Sequence, residues 1–382
     1  MLLTIYPIEN RIHNNLIKRS CFFTRTNKGK ESKKQCLWFE FPHIESIPAD
    51  NDCDSYVIAL LMLAMKENRT IIVNGSVSHS LLSNLTEFQY VWNKFDNKEY
   101  EIIDIIPTSI KDCPEKKLSG AICAFSGGVD STFTVWRHTQ KLASYRSQNL
   151  NLSCMVHGFD IPLDDRKAFD SAFNKAKVTL NSLNLDLLPL KTNFREVVRV
   201  RWGHAHATAL VAALSQFKCI IGTCLIGSSD PYNKLCLPWG SSPLTDHLLG
   251  ADNFTVIHDG SSHSRTEKVH EISNWDLGVQ NLRVCWQGEH KDRNCGKCET
   301  CLRTKVNFLA SGNEIPSCFP LSNNLEHKLS QLNLKKDIIK TEWIQILDYI
   351  KEHKVKGKWV NSISNLIDKK NKWNFFNYLK KA

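Results

Sequence analysis

Two short stretches of this chain carry residue types spaced for chemistry. The first is Ser126-Gly127-Gly128-Val129-Asp130-Ser131, between a small apolar run and a segment with helical spacing. Paired glycines let a backbone turn sharply and approach a ligand closely. The free N–H groups and positive dipole end of the following helix then form an anion site. Ser126 and Ser131 add hydroxyl donors. Asp130 does not bind phosphate itself, but it can hold Mg²⁺ or orient the loop. The stretch lacks the Gly-Lys-Ser/Thr ending of a Walker loop.

The second stretch is a cysteine cluster. Cys285 is followed after nine residues by Cys295-Gly296-Lys297-Cys298-Glu299-Thr300-Cys301. Thiolates at these intervals can wrap one metal ion, and Gly296 permits the tight turn. Four sulfurs without a histidine suggest closed, tetrahedral, structural Zn²⁺. An iron–sulfur cluster uses the same ligand set. Such a zinc site would not activate water; its expected job is to fasten the end of the catalytic domain near the sheet.

Weaker candidates surround these two. Arg265 and Lys268 stand three apart at the start of an expected helix and share a face. Either can stabilise charge on a departing phosphate, or simply coat a solvated helix start. His204 can contact substrate or cap a helix. Cys113, Cys224 and Cys236 are possible nucleophiles with nothing to mark a lowered pKa. No Ser/His/Asp order stands out as a hydrolase triad.

The order of these motifs resembles a known family. Ser126–Ser131 looks like the Ser-Gly-Gly-x-Asp-Ser signature of the PP-loop (N-type) ATP pyrophosphatases. A loop of this kind followed by Cys, then Cys-Gly-x-Cys-x-x-Cys and Leu302-Arg303, is similar to 7-cyano-7-deazaguanine synthase of the queuosine pathway. The resemblance covers about residues 118–310. It implies an adenine nucleotide alpha-hydrolase-like fold. The loop would grip the pyrophosphate part of ATP, with chemistry at the α-phosphate. The expected reaction is adenylation of a carboxylate, release of pyrophosphate, and attack by ammonia or an amine. The resemblance puts the adenine beside a second strand, so backbone groups of Met155 and Val156 would read the base edge. His157 would follow at that strand's end, in a direct role or as ordinary loop polarity. It also assigns charge stabilisation to Arg265 or Lys268. Two departures mark the chain as a divergent relative: a long N-terminal extension, and Ser229–Cys236 where a Tyr-x-Asp-Cys-Arg-like run is expected. Such relatives occur in specialised biosynthesis and antiviral defence, acting on a different small molecule or on a protein.

The remaining sequence must position these groups. Strand-like and helix-like segments alternate from Gly120 to Leu225, and the strands are continuous apolar runs. That pattern predicts an α/β domain with a doubly wound parallel sheet. The expected strands are Gly120–Phe125, Leu152–Phe159, Asp186–Leu190 and Cys219–Leu225. The expected helices are Ser131–Ala143, Asp164–Leu183 and Ala205–Phe217. Three domains follow: an α/β extension over 1–115, the ATP-binding domain with its zinc site over 116–315, and a basic helical region over 316–382. In the extension, Asp52 or Asp54 is expected to cap a helix reaching Glu67, and Ser78 or Ser80 to start another over Leu81–Phe95. Strands are expected at Thr70–Val73 and Glu101–Ile106. The extension carries no chemical motif and suits a structural or protein-partner role.

Composition excludes little and points one way. Net charge is +10, with 42% hydrophobic residues and 14 cysteines. Twelve lysines against five acidic residues lie between Lys335 and Ala382, so the basic character belongs to the tail. No apolar run approaches the ~20 residues of a membrane span. No signal-peptide layout opens the chain, and a cytoplasmic location is expected. The tail's Lys354, Lys356, Lys358, Trp359, Lys369, Lys370, Lys372 and Trp373 leave open a tRNA-thiolating enzyme. A non-catalytic nucleotide-binding subunit is the third reading.

Overall fold

A computed structural model describes residues 1–112, 117–321, 324–334 and 336–367. Cys113, most of the Pro114–Lys117 connector, Lys369, Lys370, Lys372 and Trp373 lie outside the described residues. The chain begins with strands β1 (Leu2–His13), β2 (Leu16–Asn27), β3 (Lys30–Glu31) and β4 (Gln35–Pro42). Helix α1 (Asp54–Glu67), β5 (Thr70–Ser78), α2 (His79–Phe95) and β6 (Ile105–Lys111) follow. Next come β7 (Ala121–Ala124), α3 (Val129–Thr139), β8 (Leu150–His157), α4 (Arg166–Asn181) and β9 (Asp186–Thr192). After α5 (Phe194–Val197) and α6 (Trp202–Leu214), β10 (Thr223–Gly227) and β11 (Thr255–Asp259) complete the strands. Helices α7 (Arg265–Ile272), α8 (Asp276–Gln280), α9 (Glu299–Ala310), α10 (Leu325–Ser330) and α11 (Asp337–Glu352) come last.

By compactness the chain divides into two units. One holds residues 1–126, 134–228 and 237–260; the other holds 127–133, 229–236 and the described residues from 261 onward.

The first unit is a mixed α/β body around one mostly parallel sheet of 11 strands. The path runs β11-β10-β7-β8-β9-β4-β2-β1-β5-β6, with β3 beside β2. From β11 to β9 every pairing is parallel. The N-terminal strands join that block directly, since β4 pairs antiparallel with β9 at Phe39↔Thr192 and Glu40↔Lys191. Helix α1 is apolar all round, and every residue from Asp54 to Met65 is buried. A helix of that composition belongs inside a core rather than on a surface; it packs on β5 and on alanine-rich α6.

Several local expectations need correction. Cys53 occupies the cap position of α1 without a side-chain bond, while the Asp52 carboxylate one residue earlier accepts the Asp54 N–H at 3.2 Å. The Asp52 and Asp54 carboxylates also bind Lys218 and Lys111. Ser78 precedes α2 but makes no cap bond, because its hydroxyl donates to Asp54. Strand β6 starts four residues later than the expected Glu101, since the Ile103 N–H is taken by the Gln89 side chain.

The second unit is helical. Leu302, Val306, Trp343, Ile346, Ile350 and Ile363 are among the residues of its core. The amphipathic spacing over Thr341–Ile350 is realised within α11. No helix among the described residues is long and apolar enough to cross a membrane.

Candidate functional site

The Ser126–Ser131 loop follows β7 and opens α3. Residues Val129–Thr139 can form a helix at once because Gly127, at φ +76, takes the left-handed turn that a side chain would disfavour. Its carbonyl accepts the Arg283 N–H at 2.8 Å. Thr132 N–H and the Ser131 hydroxyl both donate to the Gly128 carbonyl, at 3.0 and 3.1 Å, closing the first turn. Further along α3, Arg137 and His138 each approach Asp259 at 3.3 Å, fastening the helix to the end of β11. These neighbours hold the Asp259 carboxyl below its usual range, against the effect of burial.

Within the second unit the loop's Asp130 meets both predicted cations. Arg265 Nη2 lies 2.6 Å from one carboxylate oxygen and Lys268 Nζ lies 3.2 Å from the other. The two cations reach the same carboxylate because α7 places them one turn apart. A capping box sets where that turn begins: the Ser264 hydroxyl accepts the Glu267 N–H, and the Glu267 carboxylate accepts the Ser264 N–H.

Sequence reasoning missed the outer part of this cluster. Arg265 Nη1 also pairs with Glu342 on α11 at 3.1 Å. Glu342 pairs in turn with Arg303 on α9, and Arg303 reaches Glu299 at 3.0 Å. Trp343 Nε1 donates to the same Glu299. Arg303 is buried, and desolvation brings its guanidinium down to about 10 despite Glu299. Asp230 faces the group too. Burial raises its carboxyl first, the charge of Asp130 adds to that, and Arg265 and Lys268 oppose it. Only the Glu299–Arg303 pair, four apart on one helix, was detectable from spacing.

The four predicted metal ligands converge. The sulfurs of Cys285, Cys295, Cys298 and Cys301 all lie within 4.8 Å of one another. Two pairs are 3.7 and 3.9 Å apart. Tetrahedral zinc with Zn–S near 2.3 Å requires sulfurs about 3.8 Å apart. The donor set thus fits Zn²⁺, which would close the site structurally. Gly288 and Cys298 N–H groups donate to Cys285 and Cys295 sulfur at 3.3 Å, which favours thiolates. Hydrogen bonds from neighbouring thiols, Cys301 first, pull the Cys298 thiol below its usual value. Asn294 organises the entry by accepting the Val284 and Cys285 N–H groups and donating to the Leu282 carbonyl. Gly296 has φ +69, and a Cβ there would lie 3.1 Å from Pro320.

Other candidates fall elsewhere. Met155, Val156 and His157 lie on β8 in the first unit. The His157 Nε2–H donates to the Pro162 carbonyl at 2.8 Å, and the ring stacks on Phe169 at 4.3 Å. Burial keeps it neutral by lowering its pKa. His204 is a core histidine bonded to Tyr100 Oη at 2.9 Å. Cys224 and Cys236 have thiols raised chiefly by burial, unlike activated nucleophiles. Ser241, Asp246 and His258 do meet, which sequence order did not indicate. Ser241 Oγ and His258 Nδ1 both bond Asp246 Oδ2, at 2.6 and 2.7 Å. The serine therefore donates to the carboxylate and sits on the Nδ1 side, the wrong side for a base to activate it. In the basic tail, Trp359 is partly buried and packs against the helical core.

Comparison of the chain with protein-family models, with curated proteins and with solved structures finds no match in any of the three.

Proposed function

We propose that this chain is a PP-loop-type adenylating enzyme that uses ATP to activate a carboxylate for attack by a nitrogen nucleophile. The observation that carries the reading is the meeting of Asp130, on the glycine loop, with Arg265 and Lys268 from α7. Two cations beside a glycine turn at a helix N-terminus suit a loop that receives polyphosphate. The strand order also supports it. Read from β7, the parallel block proceeds β7-β8-β9 to one side and β10-β11 to the other. In a doubly wound sheet of this order, ligands bind at the strand ends where the direction reverses, and β7 leads into the loop there.

ATP would supply the adenylyl group and the pyrophosphate leaving group. Gly127 and Gly128 would let the backbone close on the phosphates, with the α3 N–H groups as donors. Arg265 and Lys268 would then shift from Asp130 to phosphate oxygens, offsetting charge as pyrophosphate leaves. Before nucleotide binds, Asp130 would orient the two cations, since both its oxygens accept from them. A magnesium ion would therefore arrive with the nucleotide, and no step here depends on it. Burial raises the Asp230 carboxyl and the Asp130 charge adds to that, against the Cys236 N–H, Arg265 and Lys268. Zinc in the four cysteines would hold the start of α9, and with it Glu299 and Arg303, in place. Met155 and Val156 lie on β8 in the first unit, and the packing of His157 against Phe169 suits a supporting role.

The test is pyrophosphate and AMP release from ATP, with small carboxylates and ammonium or amines, in the native chain and in Asp130→Ala. Substrate-stimulated AMP formation that the variant lacks supports the reading. ADP and phosphate as sole products would overturn it. The tRNA-directed reading has less support, since Trp359 is partly packed on the helical core and Lys369, Lys370, Lys372 and Trp373 lie outside the described residues.

A further inference from the structure

The second unit holds a cleft of about 290 Å³ that the ATP chemistry above does not use. Its walls are the Pro231–Lys234 turn, the Ser261–Ser264 entry to α7, and one face of α11. On α11, Glu342, Gln345, Tyr349 and Glu352 recur at spacings of three, four and three, so they share a face. Glu342 at the head of this face pairs with Arg265, the partner of Asp130. The next turns of the same face line the cleft.

The lining is acidic in a basic chain. Glu267, Asp348 and Glu352 contribute carboxylates, and Lys234 is the one cation among the lining residues. Lys234 lies 3.4 Å from Asp348, and both are substantially exposed. The Glu352 carboxylate makes no hydrogen bond or ion pair with a described residue. Tyr232 and Tyr349 add ring faces of the kind that attract cations. Burial, then the charges of Glu267 and Glu352, push the Tyr349 phenol up, consistent with a negative field. Gln345 supplies an independent sign. It is only 9% exposed, lines the cleft, and its Nε2 is buried without a partner. A buried donor left unpaired costs stability unless something accepts from it.

We propose that this cleft binds a small aliphatic amine, its ammonium held by Asp348 and Glu352 against the tyrosine rings and a polar acceptor on it satisfying Gln345. Asp348 and Glu352 are four apart on α11 and can share one cation. The inference concerns binding alone and does not depend on adenylation; if both hold, the cleft is where the nitrogen nucleophile waits.

The experiment is calorimetric titration of the metal-loaded full chain without nucleotide. The probes are 4-aminobutan-1-ol and ethanolamine, with 1,4-butanediol as the uncharged control. The amines should bind saturably and the diol should not, with affinity falling as salt rises. The double variant Asp348→Asn/Glu352→Gln should weaken amine binding by about tenfold or more. Lys234→Met should strengthen it, roughly threefold, by removing the internal competitor for Asp348. These side chains are exposed, and circular dichroism would verify that each variant folds. Absence of amine binding up to ~10 mM, equal binding of the diol, or unchanged affinity in the double variant would overturn the proposal. Since ATP is absent, failure of the adenylation reading would leave this result intact.

Discussion

Two ion clusters in this molecule are made from the same residue types and are built for different ends. In the first unit, Asp52 and Asp54 share Lys218 at 2.6 Å, with Lys111 completing the group. Lys218 and Asp54 are about 5% and 4% exposed, and Arg19 donates nearby to the Asp52 carbonyl and to Gln216. In the second unit, Asp130 meets Arg265 and Lys268, but its side chain is 23% exposed. The first cluster matches two lysines to two carboxylates that are at most 10% exposed. The second sits at a glycine turn beside a helix N-terminus, where an incoming anion can compete for its cations. Exposure of the shared carboxylate, more than the number of charges, separates a structural ion cluster from a candidate site.

The largest expected effect tests what the second cluster rests on. Removing metal with a strong chelator should unfold the cysteine turn and the start of α9, as structural zinc supplies folding energy of about 10 kcal/mol in small domains. Metal analysis should give one zinc per native chain, and α9 amides should lose hydrogen-exchange protection on chelation. Unchanged protection would mean that the four cysteines are not a folding element. Next comes Lys218→Met, which strands two buried carboxylates with only Lys111 opposite. The expected loss is about 3–5 kcal/mol in urea unfolding. A loss under about 1 kcal/mol would remove the distinction drawn between the clusters.

Asp130→Asn should do the reverse. Its stability should change little, while pyrophosphate release falls by about 10²–10³ as the loop loses its anchor. A stability loss as large as that of Lys218→Met would make Asp130 structural. The smallest effect is Ser264→Ala, which removes the cap that begins α7 and should cost about 1 kcal/mol. Acid titration sharpens the comparison further. Lys218 and Lys111 hold Asp52 down, against burial, at about 2, below its ordinary 3.8. Its contribution is therefore full above about pH 4 and lost as pH falls towards 2. Lys218→Met should flatten that part of the acid-unfolding curve.

The sequence showed local patterns and concealed long-range ones. The glycine loop between β7 and α3, and the four cysteines, were legible because each is contiguous or nearly so. Strand β10 was expected at Cys219 but begins at Thr223, since Ser215–Phe217 form a turn after α6 and Lys218 pairs with Asp52 and Asp54. Strand β11 was missed because its five residues, Thr-Val-Ile-His-Asp, are too short to show a period. Glu342 joins Arg265 and Arg303 across long sequence separations, and nothing in its own neighbourhood marks it. The Ser241–Asp246–His258 contact shows the opposite hazard: a triad's residue types in proximity, with the histidine nitrogen on the wrong side.

The antiparallel seam between β4 and β9 has a consequence for solubility and for how such a chain can be cut. A parallel block ending at β9 would expose a row of unpaired peptide groups, a template for another strand. Here β4 seals that edge, and the chain's own opening residues act as its guard. The exposed borders are shifted to β6 and β11. On β6, Ile106 and Ile110 are open to solvent, while Lys111 lies beside them, tied to Asp52. A fragment beginning after β6 would thus gain a sticky border at β9 as well as lose the packing of α1 on α6, and its first fate would be self-association.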